Sequence, residues 1–308
     1  MKQFGRRWKL DISNDQETLS IEQLRVAFEI DKTINEKPNP AKIQVWNLNR
    51  DHLNQLLSGA FQKVALSVGY GELRQIYAGD ITKTRVLRQG LDFVLNLECA
   101  DGHQAYTQSR ATTTLKAGAT DEQIVQELQK TMPKVQTGTI DIPNQRKLPR
   151  GRVLNGNSRD ILTRIARNNN ANWSIQDGAL VFLPKDKVLG DDTVLLSQDT
   201  GMINAPEQTD NGLELTCLLN PALQIGGLVQ VESILEYFNG EYKIVKLAHS
   251  GDGIGGDWQS KLTVVGGKFK KVEKIKEIWR QKQEVSAIVF NRALLTILHA
   301  IQIACRVR

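Results

Sequence analysis

The sequence predicts a mainly β, α+β chain. Apolar residues alternate with polar ones at period two in many short segments. Glycine- and asparagine-containing turns separate those segments. Helical stripes are few and short. Period two with one apolar face is the pattern of half-buried antiparallel strands.

Taken in order, Leu24, Val26, Phe28 and Ile30 alternate with Arg25, Ala27 and Glu29. A short helix is expected around Arg50–Leu57. Val64, Leu66, Val68 and Tyr70 alternate again, as do Leu91, Phe93, Leu95, Leu97 and Cys99. Thr120-x-x-Gln123 is a capping box, with Asp121 and Glu122 in the first turn, Ile124, Val125, Leu128 and Met132 on one stripe, and Pro133 as the stop. A strand at Arg152–Leu154 precedes a helix starting near Asn157/Ser158, whose face is Ile161, Leu162, Ile165 and Ala166. Trp173–Ile175 and Leu180–Leu183 then pair through an Asp177-Gly178 hairpin turn. Leu213, Leu215, Cys217 and Leu219 alternate, and a last helix is expected from near Val272.

Two stretches share an order of segments. The first runs Ile43–Leu48, Lys63–Tyr70, Gln75–Thr82 and Asp92–Gly102. The second runs Leu213–Asn220, Gly227–Ser233, Glu241–Asp252 and Trp258–Gly267. Each is a strand, a turn (Asn47-Leu48-Asn49 or Leu219-Asn220-Pro221) and three more strands. This is a similarity of pattern, shared in part by any antiparallel sheet.

The chain has 308 residues, which suggests two domains. Its net charge of +6 is unevenly placed. Lys268–Arg308 holds ten Lys/Arg and three Glu, a net +7. The first 267 residues hold 30 basic and 31 acidic groups, a net −1. The basic pI of 9.1 therefore does not describe the body, and this weakens a nucleic-acid-binding reading of residues 1–267. Three scattered cysteines make neither a disulfide framework nor a zinc site; Cys99 and Cys217 sit in apolar alternation and read as small buried groups. Neither a signal peptide nor a membrane span is expected, because Asn291, Arg292, His299 and Gln302 interrupt the most apolar run, Ser286–Cys305.

No catalytic, cofactor-binding or metal residue is nominated. Gly251-Asp252-Gly253-Ile254-Gly255-Gly256 matches G-x-G-x-x-G, but a strand pattern follows it where a phosphate site needs a helix. A glycine-rich hairpin loop is expected. His249-Ser250 beside Asp252 holds triad residue types without triad geometry, and reads as a surface histidine at a strand end. Asp101-Gly102-His103 reads the same way. Four histidines without helical pairing, and no Asp-x-Asp-x-Asp loop, argue against a metal site. Arg6-Arg7-Trp8-Lys9 reads as a solvated strand start, and Trp46 and Trp173 as core or interface residues. From Val285 the tail helix would be apolar almost all round and is expected to be covered, by its own body, by another copy or by a partner.

The order of segments resembles the baseplate hub protein of contractile-tailed bacteriophages and related tailocins. Leu19–Ile30, Pro38–Leu48, Leu66–Gly71, Ile76–Asp80, Asp199–Ile203, Pro206-Glu207, Leu218–Pro221 and His249–Asp252 carry the resemblance, over roughly residues 5–267. It implies two related tube-type antiparallel β-barrel domains (1–103 and 191–267), a small inserted α/β module (104–190) and a helical tail (268–308). It implies a structural role without enzyme activity or cofactor. Three chains would form a pseudo-sixfold ring joining the hexameric tail tube to the central spike, with DNA or the tape measure protein passing through. Tube, spike, tape measure and baseplate wedge proteins would be its partners in the virion, after synthesis in the host bacterial cytoplasm. A near-neutral body suits such a conduit, since a basic wall would hold a polyanion by counterion release. The alternatives are another tube-like part (a distal tail protein or the hub of a secretion-system spike), a hub-associated cell-wall hydrolase, and a nucleic-acid binder. The hydrolase would need an exposed acid pair or a zinc motif, and the sequence shows neither. The tail lies outside the resemblance; a spike or tape-measure contact is expected of it.

Overall fold

A computed structural model describes residues 5–144, 146–190 and 193–272. The expected last helix from Val272, Cys305 and nearly all of the basic tail lie outside the described residues. Among those described, no helix is long and apolar enough to cross a membrane.

The first part of the chain comprises β1 (Arg6–Ser13), β2 (Thr18–Ile21), β3 (Val26–Thr33), β4 (Pro40–Trp46), α1 (Arg50–Leu57), β5 (Lys63–Tyr70), β6 (Arg74–Gln89) and β7 (Asp92–Ala100). The strands lie in the order β2-β1-β5-β6-β7-β4-β3, antiparallel throughout. Alternation aims one face of each strand inward. Leu10 and Ile12 of β1, Val26, Phe28 and Ile30 of β3, Ile43 and Val45 of β4, Leu66 and Val68 of β5, and Leu95 and Leu97 of β7 meet in one core. Strands from both ends of the order reach the same core only if the sheet curls over it. Leu53 and Leu56 of α1 close that core; burying such a leucine stabilises by roughly 2 kcal/mol.

The middle module of the chain holds α2 (His103–Gln108), β8 (Arg110–Leu115), α3 (Asp121–Lys130), β9 (Gln136–Ile140), β10 (Arg152–Asn157), α4 (Ser158–Asn168), β11 (Ala171–Gln176) and β12 (Ala179–Pro184). The capping box forms: Gln123 N–H donates to Thr120 Oγ1, and Thr120 N–H to Gln123 Oε1. Its own core contains Ile124, Val125, Leu128, Leu162, Trp173 and Phe182. Trp173 stacks on Tyr106 with centroids 5.3 Å apart and donates to Thr163 Oγ1 at 3.0 Å.

The last part comprises β13 (Lys187–Leu189), β14 (Val194–Leu196), β15 (Glu207–Thr209), β16 (Gly212–Leu218), β17 (Leu228–Val231), β18 (Gly240–Asp252) and β19 (Trp258–Gly266). β3 pairs with β18 antiparallel, Thr33↔Lys246 through Ala27↔Asp252, so the strands of both parts, β13 excepted, form one continuous sheet.

Within that sheet the two suspected copies share a topology. β4 pairs β7, β7 pairs β6 and β6 pairs β5; correspondingly β16 pairs β19, β19 pairs β18 and β18 pairs β17. The third strand of each copy carries a one-residue bulge against the fourth, at Thr82 between Ile81 and Lys83 and at Val245 between Ile244 and Lys246. Bulges are specific local features and not defaults of sheets. Their coincidence is stronger support for a repeat than strand order alone.

Candidate functional site

Several of the residues weighed from the sequence and set aside lie where the chain's parts join. Gly251–Gly256 is the turn of the β18–β19 hairpin, strand following strand. Its tip sits against the beginning of the chain. Gly253 N–H donates to Val26 O at 2.9 Å, Arg6 donates to Asp252 O at 3.1 Å, and a Cβ at Gly253 would lie 2.6 Å from the Trp8 ring. Arg25 grips the Asp252 carboxylate through Nη2 at 2.7 Å and Nε at 3.1 Å, and stacks over Trp46 at 4.3 Å. Asp252 also accepts Ile254 N–H at 3.0 Å. Arg25, its hydrogen bond first among the causes that lower it, holds that carboxyl below the usual range against the opposing effect of burial. A loop whose acid is gripped by arginine serves as a clasp.

Arg6-Arg7-Trp8-Lys9 does open β1, with Arg7 exposed, but Arg6 and Trp8 are half-buried in the clasp. Trp8 packs on the core and donates to Leu24 O at 3.0 Å, and Arg6 lies over the Trp258 ring at 5.4 Å. Trp173 is core and Trp46 is half-buried at the clasp.

His249 is likewise no surface residue: it is 2% exposed, with Nδ1 2.8 Å from Ser260 Oγ. Burial, helped by the charge of Lys32, pushes its pKa down to about 3, so it is neutral. Ser250, the next residue on the strand, points to the opposite face, into a surface concavity also lined by Glu29, Lys42, Arg85 and Asp257. The two side chains therefore cannot act as base and nucleophile together.

Asp101 is also buried, at 0% exposure, which corrects its surface reading; His103 is exposed at the start of α2. Asp101 accepts the N–H groups of Asp177 and of Gly178, the latter at 3.0 Å. Asp177 and Gly178 form the β11–β12 turn expected from sequence, both at positive φ. The Asp177 carboxylate accepts from Lys32 at 2.6 Å and from Ala78 N–H at 3.0 Å. Asn39 adds Nδ2 bonds to Ile175 O and Gln176 Oε1, each 3.1 Å, while its Oδ1 accepts Thr33 N–H at 2.9 Å. The turn is thus a polar plug seating the module on β3, β6 and β7. Sequence reasoning missed Lys32, Asn39 and Gln176: each falls in a strand or turn pattern, and nothing local marks a partner more than a hundred positions away.

Cys99 and Cys217 are free, buried thiols, and burial pushes each up to about 12. Among the described residues no group of three His, Cys, Asp or Glu is placed to hold a metal. What Arg25 with Asp252, and Asp101 with Asp177 and Lys32, build is a set of joints.

No curated protein matches the sequence. Among solved structures, the 43 kDa tail protein of prophage MuSo2 from Shewanella oneidensis is 12% identical with a TM-score of 0.58, covering 84% of this chain and 97% of that one. The tail protein from Neisseria meningitidis MC58 is 12% identical with a TM-score of 0.59, covering 85% and 96%. The E. coli c3393 protein, described as a type VI secretion system component structurally similar to the T4 tail proteins gp27 and gp5, is 12% identical with a TM-score of 0.60, covering 87% and 80%. At this identity the likeness is one of fold. The model of the baseplate hub gp41 family, a structural family and not an enzyme class, matches residues 8–250, most of the described chain. The chain belongs to the baseplate hub gp41 family.

Proposed function

We propose that three copies of this chain form a ring that joins a hexameric tail tube to a central spike in a contractile particle. The ring lines the passage through which DNA or the tape measure protein leaves. One observation carries the reading: the chain holds the same four-strand unit twice, with the same bulge, in one sheet. Three chains then present six equivalent units to a sixfold tube while keeping threefold symmetry for a spike. On this reading residues 1–103 and 191–267 are the two tube-type domains, 104–190 decorates the outside, and 268–308 contacts the spike or tape measure.

Native mass measurement tests the stoichiometry. Three chains of 34.5 kDa are expected in one particle, and electron microscopy is expected to show a ring with an open centre. A stable monomer, with no ring in any assembled particle, refutes the proposal. Deleting 268–308 is expected to block tail assembly; normal tails would exclude the role given to that segment. A second reading, the hub of a secretion-system spike, is favoured by the likeness to the c3393 protein; a copurifying β-helical spike without a phage tail would decide for it.

A further inference from the structure

The second copy's long strand, β18, is covered along its outer edge in two stretches. β17 pairs with Gly240–Lys243, and β3 with Lys246–Asp252, beyond the bulge. The first copy's long strand, β6, is covered only once. β5 pairs with Arg74–Asp80; beyond the bulge no described strand takes the same edge of Lys83–Gln89. Conversely β3, which fills the edge of β18, is itself paired to β4. Its counterpart beside β16 is β15, a terminal strand of the sheet, with no described strand paired to its outer edge. Among the described residues, the vacant stretch of β6 and the terminal strand β15 thus stand as the acceptor and the filler of a joint like that between β18 and β3.

We propose that β6 of one chain receives β15 of a second copy over this vacant edge. This rests on the ring reading above and names its subunit contact. The register follows from the repeat. The bulges equate Lys83 with Lys246. Cys99 and Val264, which oppose the residues before those bulges, equate Ala41 with Leu213. Ile30 opposes Ala41 as Gln208 opposes Leu213. The His249↔Ile30 pair of the intact joint therefore becomes Val86↔Gln208 between chains, flanked by Leu87↔Glu207 and Arg85↔Thr209. Pro206 has no N–H to add and ends the ladder.

Two independent features suit the contact. The vacant edge carries Lys83, Arg85 and Arg88, and the incoming segment Glu207 and Asp210, so the charges are opposite. Exposed apolar side chains also sit on both sides. Leu87 (52%), Leu91 (91%) and Phe93 (42%) surround the β6–β7 tip, and Ile203 (48%) precedes β15. In the joint within one chain, the β18–β19 tip seals onto the residues before and within β3. The same operation carries the β6–β7 tip onto the segment containing Ile203.

Cysteine cross-linking of the full chain tests the register, with Cys305→Ser as background. Leu87↔Glu207 falls at a non-hydrogen-bonded position, where opposed Cα atoms are about 4.5 Å apart and a disulfide fits. A chain carrying both Leu87→Cys and Glu207→Cys is expected to shift under mild oxidation from the one-chain to the three-chain band on a non-reducing gel. Six strands separate β15 from β6 within a chain, so a bond inside one chain, leaving the band unshifted, counts against the proposal. Val86→Cys with Glu207→Cys, one residue out of register and on the other face, is expected to remain in the one-chain band. Cross-linking of both pairs alike overturns the register. Failure of both in a protein of native three-chain mass overturns the strand pairing and leaves the ring reading standing. A one-chain native mass at every concentration overturns both.

Discussion

Replacing Asp101 with asparagine should remove a pH dependence from the stability of the seated module. The carboxyl is fully buried, and burial, with the charge of Asp177 next, pushes its pKa up to about 7, against the pull of two backbone N–H bonds and Lys32. In the unfolded chain an aspartate titrates near 3.9. Between those values the folded protein holds a proton that the unfolded chain has released. Stability therefore falls as pH rises from about 4 to about 7, by at most about 4 kcal/mol in all. The asparagine side chain of the Asp101→Asn variant cannot titrate, but it presents an amide NH2 to one of the two turn N–H groups, a cost of about 1–3 kcal/mol. At pH 5 the variant should be the less stable protein, and by pH 8 the gap should close or reverse. Urea unfolding followed by tryptophan fluorescence from pH 4.5 to 8.5 measures both, with the slope in urea unchanged if only stability moves. A wild-type-minus-variant difference that is flat across this range would refute the account of the plug.

Three further predictions concern the joints. Lys32→Met leaves the Asp177 carboxylate without its cation beside Asp101; because Asp177 is about one-third exposed, we expect a loss of about 2 kcal/mol, measured by the same urea titration. His249 behaves oppositely to Asp101. Its folded pKa of about 3 lies below the unfolded value near 6.5, so it contributes stability that is lost as pH falls through that window. His249→Gln should shift acid unfolding to lower pH; an unchanged acid midpoint would show that the imidazole is not held neutral. Gly253→Ala drives a methyl into the Trp8 ring and should cost about 1–3 kcal/mol in thermal or urea unfolding, with a change in Trp8 emission. An alanine variant as stable as wild type would mean that the hairpin tip is not clasped there.

Much of the local structure is legible in the sequence because it is written locally. The alternation of Leu24–Ile30 and Leu91–Cys99, the Thr120/Gln123 box and the Asp177-Gly178 turn each need only near neighbours, and each forms where expected, except that Leu91 and Phe93 are exposed at the β6–β7 tip and Val94 is buried in their place. α2 escapes because it has six residues, starts from Gly102 at positive φ and has no side-chain cap. The site was less legible. His249 and Asp101 carry polar names that suggest surface, and their burial is decided by partners far along the chain: Ile30 opposite His249, Asp177 above Asp101. Arg25 and Asp252 are 227 positions apart, and Trp8 meets Gly253 only once both hairpins exist. Pairings of that range leave no period behind.

The pairing of β3 with β18 also sets an order of events during synthesis. A ribosome that has released the first seven strands has made β3 but not the strand that covers it. Non-local pairing is slow to form, and until then the nascent chain exposes the edges of both β3 and β6. Two such half-made chains carry a donor strand and an acceptor edge of the kind the joint itself uses, and can mispair before either is finished. Completion of β18 withdraws β3 from that traffic. Slowing translation after residue 190, or truncating there, should yield aggregates where the full chain yields soluble protein, because this hub becomes safe to assemble only when its second copy has claimed its first.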